Sequence, residues 1–295
     1  MILILLTLFV NTAGSIFVQY SWRVTRWDPP LVMTIVEVIK CCISLAVVKH
    51  LHLPFECRDY WKFAAPSILY SLLNISVTYA YSILPAHYIV TVANLKIVCA
   101  MCFTQRFLKR SFTKQQWAAA GVILLGLVII SSKPVDGSAR EIVTAILFGI
   151  AAAIVSSAAG TACEYLYITE PETSIHVQNV KMYAFGSIFN LLIFLMKGKM
   201  PKEWHWTTNI IILYYAVAGI LVSFVMKHLG NVARNFIGAA TMICVTVCSH
   251  FLLGNEITFQ FALGGCLVSA GTILYNFQKA GPAIDDKETV ELIKI

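Results

Sequence analysis

The chain has 295 residues, of which 58% are of the types A, V, I, L, M, F, W, Y and C and only 13% are charged. Soluble domains average roughly 25% charge, so this halved fraction, with a mean hydropathy of +0.76, excludes a soluble globular enzyme, a disordered chain and a collagen-like fibre. An outer-membrane barrel would alternate polar and apolar residues. The formal net charge of +7 sits mostly in short loops without a basic-aromatic module, so nucleic acid is excluded as a partner.

Apolar runs and their breakers predict ten membrane spans, each near the roughly 20 residues that cross a bilayer. They cover 2–20, 30–49, 61–83, 86–106, 115–133, 141–166, 177–196, 208–226, 235–254 and 259–278. The first lacks a basic n-region and is long for a signal sequence, so it reads as an uncleaved span. Breaks fall at Asp28-Pro29-Pro30, Pro85, Lys133-Pro134, Glu170-Pro171-Glu172 and Lys199-Met200-Pro201, and at the charge cluster of Arg106, Lys109, Arg110 and Lys114. Ten spans put both termini on one side. That side carries twelve Lys/Arg against seven on the other, which predicts cytosolic termini.

The segment Phe107 to Thr113, leading into a span with Gly121 and Gly126, is echoed by Phe251 to Thr258, leading into one with Gly265 and Gly271. The offset is five spans, an odd number, so a second copy would be inverted. Inverted repeats mark transporters whose site lies near the membrane midplane. The expected fold is an all-α integral membrane protein, ten transmembrane helices in two inverted five-helix repeats. The first repeat is 1–135, the second 136–278, and 279–295 is a polar cytosolic tail. The small-residue run Gly149 to Gly160 supports close helix packing.

Charges inside a membrane are costly and functional by default. On the second span Glu37 and Lys40 lie at i, i+3, close enough to form a structural ion pair. Lys96, mid-span in Thr91-Val-Ala-Asn-Leu-Lys-Ile-Val98, has no acidic residue three or four positions away. Either an anionic solute is its counter-ion or a distant Glu, such as Glu37 or Glu164, pairs with it. Lys181 lies close to a span end. Arg234 opens the ninth span, where a guanidinium and helix N-terminal amides favour phosphate; the competing reading is a cytosolic anchor. Lys227 reads as such an anchor. Tyr70 with Asn74, and Asn179 with Tyr183, each share a helix face at i, i+4. Aromatic rings offer stacking for a base and amides offer donor and acceptor together; interhelical hydrogen bonding is the plainer alternative for each.

The nine cysteines lie mostly in apolar segments without metal or redox spacing, and no cofactor is expected. There is no GxSxG, HExxH, DxD or Walker motif, so the chain reads as a non-enzyme and any transport as exchange or gradient-driven.

These residues resemble the nucleotide-sugar transporters of the drug/metabolite transporter superfamily, in the group carrying CMP-sialic acid, UDP-galactose and UDP-N-acetylglucosamine. The likeness is carried by Val36-Glu-Val-Ile-Lys40, by Asn94-Leu-Lys-Ile97 through Phe107-Leu-Lys-Arg110 to Lys133-Pro134, by Ser174 to Tyr183, and by Met226-Lys227 through Phe236 to Gly254. The resemblance implies an antiporter. It would exchange a cytosolic pyrimidine nucleotide sugar for the luminal nucleoside monophosphate by alternating access, in Golgi or endoplasmic-reticulum membranes. Lys96 and Arg234 would then meet phosphate, with Tyr70, Asn74, Asn179 and Tyr183 around the nucleoside and sugar. It also leaves room for a homodimer. Phe185 stands where some relatives carry a small hydroxyl, Ile89 where they carry Tyr, and Glu164 is shifted from the usual acidic position. Base and sugar are therefore left open, as is the role of Glu164. The alternative is another carrier of the superfamily, for a phosphorylated metabolite or a drug-like solute.

Overall fold

The computed structural model describes residues 2–25, 27–55, 59–83, 89, 92–130, 138–197, 204–253 and 258–277. Among these the regular elements are helical: α1 (Ile2–Val24), α2 (Pro29–His50), a 3-10 turn (Tyr60–Phe63), α3 (Ala64–Ile83), α4 (Lys96–Phe107), α5 (Lys114–Ile130), α6 (Ala139–Thr169), α7 (Ile175–Lys197), α8 (Trp206–Leu253) and α9 (Phe259–Phe277).

The helix starts follow from local chemistry. Asp28 caps α2 by accepting from the Leu31 amide at 3.2 Å, with Pro29 and Pro30 in the first turn, where a missing N–H costs nothing. A Thr-x-x-Gln box opens α5: Thr113 Oγ1 accepts from the Gln116 amide, and Gln116 Oε1 accepts from the Thr113 amide. Ser138 and Glu141 make the same reciprocal pair at the start of α6.

Two expected spans, 208–226 and 235–254, run together as α8. Its 48 residues would measure about 72 Å as a straight helix, against a hydrocarbon core of roughly 30 Å. The chain breaks at Gly230, φ 85° and ψ 170°, a conformation open to glycine and strained for any L side chain. Among the described residues four helices are long and apolar enough to cross a membrane (Pro29–His50, Ala139–Thr169, Ile175–Met196 and Trp206–Leu252), and three more are shorter and apolar. Large apolar side chains stand exposed along them, among them Phe9, Leu125, Leu147, Ile188 and Leu195. Backbone groups are paired within each helix and apolar groups face out, as hydrocarbon solvent demands.

Two compact units emerge, residues 1–75 with 162–230, and residues 76–161 with 231–295. Each takes chain from both sides of residue 135. In the first, α2 packs along α7, and Trp27, Val32, Val36, Ile211, Ile212 and Ala216 form a core. In the second, α5 packs along α9 above a core that includes Ile97, Met101, Ile123, Leu127, Phe236 and Val268. The α5–α9 crossing is set by glycine: a Cβ on Gly126 would lie 2.6 Å from the Gly264 carbonyl oxygen, and one on Gly264 would lie 2.5 Å from that of Gly126. In lipid, where apolar burial gives no drive between helices, such close approach supplies the van der Waals contact.

Candidate functional site

The second unit holds the two cations singled out in the sequence. Lys96 is not in the middle of a continuous helix, as its place in the span predicted. It is the first residue of α4, after a turn at Asn94-Leu95. Leu95 offers no side-chain cap; the Ile97 amide donates instead to the Asn94 carbonyl at 3.1 Å, which closes the turn onto the helix. The backbone is pinned from α6, where Ser157 Oγ donates to the Lys96 carbonyl at 3.0 Å. Arg234 lies four residues after Gly230, near the start of the second half of α8, and its charge reaches Lys96. Among the described residues no carboxylate lies within ion-pair distance of Lys96. On the same half of α8, Asn231 lies so close to α6 that a Cβ on Gly160 would collide with its amide.

In the first unit Asn179 and Tyr183 come together, as their spacing predicted, through a residue the sequence reading missed. Ser223 Oγ accepts from Asn179 Nδ2 at 2.8 Å, is reached by the Tyr183 hydroxyl at 3.4 Å, and donates to the Ile220 carbonyl at 2.7 Å. Tyr167 donates to Asn179 Oδ1 at 3.3 Å. This fixes which end of the amide faces which helix. A lone serine in the apolar run of α8 carries no sequence signal; only its partners reveal it. Tyr70 is half-buried against Cys163, Tyr167 and Met226, whereas Asn74, one turn on, is exposed. Phe185 lies against Tyr60, ring centroids 4.6 Å apart and planes tilted by 37°. Glu164 is buried.

Glu37 and Lys40 form the expected ion pair, Nζ to Oε1 2.6 Å, with side chains 19% and 9% exposed. The Lys40 ammonium also lies 4.2 Å from the centre of the Tyr183 ring, a cation–π contact. Two glycines make the room. A Cβ on Gly186 would stand 3.0 Å from Glu37 Oε2, and one on Gly219 would stand 2.8 Å from Lys40 Cδ. Removing one partner leaves a buried uncompensated charge, so Lys40→Met or Glu37→Gln alone should cost about 3–5 kcal/mol. The double variant should recover much of that loss in detergent thermal unfolding; equal losses in all three would mean the pair contributes no coupling.

Lys181 and Lys227 are held by protein groups. Lys181 Nζ lies 3.7 Å from Glu170 Oε2. Lys227 Nζ donates to the Thr173 carbonyl at 2.6 Å and to Gln178 Oε1 at 3.2 Å, contacts that its sequence position did not suggest. Among the described residues no cluster of His, Cys, Asp or Glu could hold a metal ion.

The sequence matches the nucleotide-sugar transporter family over residues 1–276. The chain belongs to that family. This transporter is 26% identical over 293 residues to CMP-sialic acid transporter 2 of Oryza sativa subsp. indica, covering 92% of this chain and 82% of the relative. It is 28% identical over 304 residues to a UDP-galactose/UDP-N-acetylglucosamine transporter of Caenorhabditis elegans, covering 93% and 81%. With the UDP-N-acetylglucosamine transporter of Homo sapiens it shares 26% over 253 residues, covering 81% and 78%. A solved crystal structure shares the fold at 13% identity, with a TM-score of 0.77 over 93% of this chain and 98% of that one. The transporter is therefore a multi-pass membrane protein whose relatives are carriers, not enzymes, and its substrates are of the nucleotide-sugar class.

Proposed function

We propose that this transporter exchanges a cytosolic pyrimidine nucleotide sugar for the matching luminal nucleoside monophosphate. The cargo is a UDP-sugar, such as UDP-galactose or UDP-N-acetylglucosamine, or CMP-sialic acid. The membrane is that of the Golgi apparatus or endoplasmic reticulum, with both termini cytosolic. Residues 1–135 and 136–278 act as two inverted five-helix repeats, followed by the tail 279–295. The observation that carries this reading is that Lys96 and Arg234 fall in one unit, with no carboxylate in ion-pair distance of Lys96 among the described residues. Two like charges at a helix start repel, and a phosphate group relieves both at once. Asn179 and Tyr183 supply amide and ring to the nucleoside, with Tyr70 and Asn74 toward the sugar. Binding then shifts the balance between two access states only through contacts that differ between them. A carrier without the anion at Lys96 reorients slowly, which couples the two fluxes.

The test is thermal unfolding of the purified protein with UMP, CMP, GMP, AMP and inorganic phosphate. UMP or CMP should stabilise by about 2.7 kcal/mol at a hundredfold excess over the dissociation constant, and AMP and GMP should not. No shift with any nucleoside monophosphate would sink the reading, and a shift with inorganic phosphate alone would favour a carrier of other phosphorylated metabolites.

A further inference from the structure

The turn between α6 and α7 is held by more polar groups than its length requires. Gln178, fully buried, donates from Nε2 to the Glu170 carbonyl at 3.1 Å and to the Leu166 carbonyl at 3.4 Å. It thereby satisfies acceptors that the end of α6 would leave open. Its Oε1 accepts from Lys227 of α8, whose ammonium also closes on the Thr173 carbonyl. Lys181, on the same helix as Gln178, lies against Glu170. The next residue after Gln178 is Asn179, bound on its two sides by Tyr167 of α6 and Ser223 of α8. Ser223 and Lys227 are one turn apart on α8, so they present one face to α7.

We propose that Lys227 and Gln178 form a positioning clamp that fixes the rotation of α7 and so the direction in which the Asn179 amide points. Two of the three Lys227 N–H donors go to protein acceptors, at 2.6 Å and 3.2 Å, so its ammonium ties α8 to this turn. A slip of α7 by even a fraction of a residue would break the Gln178 bonds to α6 and α8 together and turn Asn179 from Ser223. The clamp rests on the reading of Asn179 as a nucleotide contact.

The experiment is self-exchange of labelled UMP and CMP in proteoliposomes for Lys227→Met, Gln178→Met, the double variant and Asn179→Ala. Each clamp variant should raise KM about tenfold with the saturating rate within about twofold of the parent, and the double variant should be no worse than the weaker single. A multiplicative double effect would show that Lys227 meets the nucleotide itself, and parental KM values in both single variants would equally overturn the clamp. Asn179→Ala separates the two readings. A parental KM there removes Asn179 from the site, whereas a raised KM beside normal clamp variants removes only the clamp. If Lys227→Met does not yield folded protein, Gln178→Met decides alone, because it leaves the charge in place.

Discussion

Lys96→Ala should lower nucleotide exchange by more than about 100-fold while leaving the protein as stable as the parent or more so. Hydrogen bonds to charged groups contribute about 1.5–3 kcal/mol, which is roughly 10–100-fold in binding for the phosphate contact alone. A step that needs the bound anion to reorient loses further. Stability moves the other way because Lys96 feels the like charge of Arg234 and no carboxylate among the described residues lies within ion-pair distance of Lys96, so removing the lysine relieves repulsion. The opposing signs make the test specific. A structural lysine would lose stability and activity together, and a dispensable one would lose neither. Arg234→Lys should keep most of the exchange, because the charge remains and only the two-pronged geometry is lost. Exchange at the parental rate in Lys96→Ala, measured in proteoliposomes, would remove the residue from the site.

The second large effect falls on neighbouring glycines of α9. Gly264→Ala places a Cβ 2.5 Å from the Gly126 carbonyl oxygen and 3.0 Å from the Ile130 amide nitrogen. Those atoms are backbone and cannot rotate away, so α5 and α9 must separate. Overpacking of this kind costs about 1–3 kcal/mol, and the contact lies beside the main core of its unit. Gly265→Ala meets nothing within 4 Å and should be neutral or stabilising by up to about 1 kcal/mol, because alanine holds a helix better than glycine. Thermal unfolding in detergent should therefore order the two variants on opposite sides of the parent. Equal behaviour would show that α5 and α9 do not meet at this point.

Several of these features were legible in the chain. Glu37 and Lys40 announce their pairing by a three-residue spacing, and Asn179 and Tyr183 announce a shared face by four. What was not legible depends on partners far away in sequence. Ser223 is one hydroxyl among apolar residues, and its meaning comes from Asn179, 44 positions earlier. Lys227 looked like an interfacial charge because its acceptor at Thr173 is a backbone carbonyl, a group that every residue carries and no pattern reveals. The helix start at Lys96 was hidden because Asn94-Leu95 contains neither proline nor glycine. A loop was expected between 226 and 235, but a single unusual residue makes the break in a helix that otherwise continues.

That residue, Gly230, also bears on how the gene tolerates change. Every missense codon at this position encodes a side chain with a Cβ, and every such residue is built in the L form, which the φ of 85° penalises. Even the smallest replacement, alanine, is therefore a non-conservative allele at position 230, whatever surrounds it. The polarity or volume scales that rank variants elsewhere in α8 do not apply at this one codon, because the penalty lies in handedness.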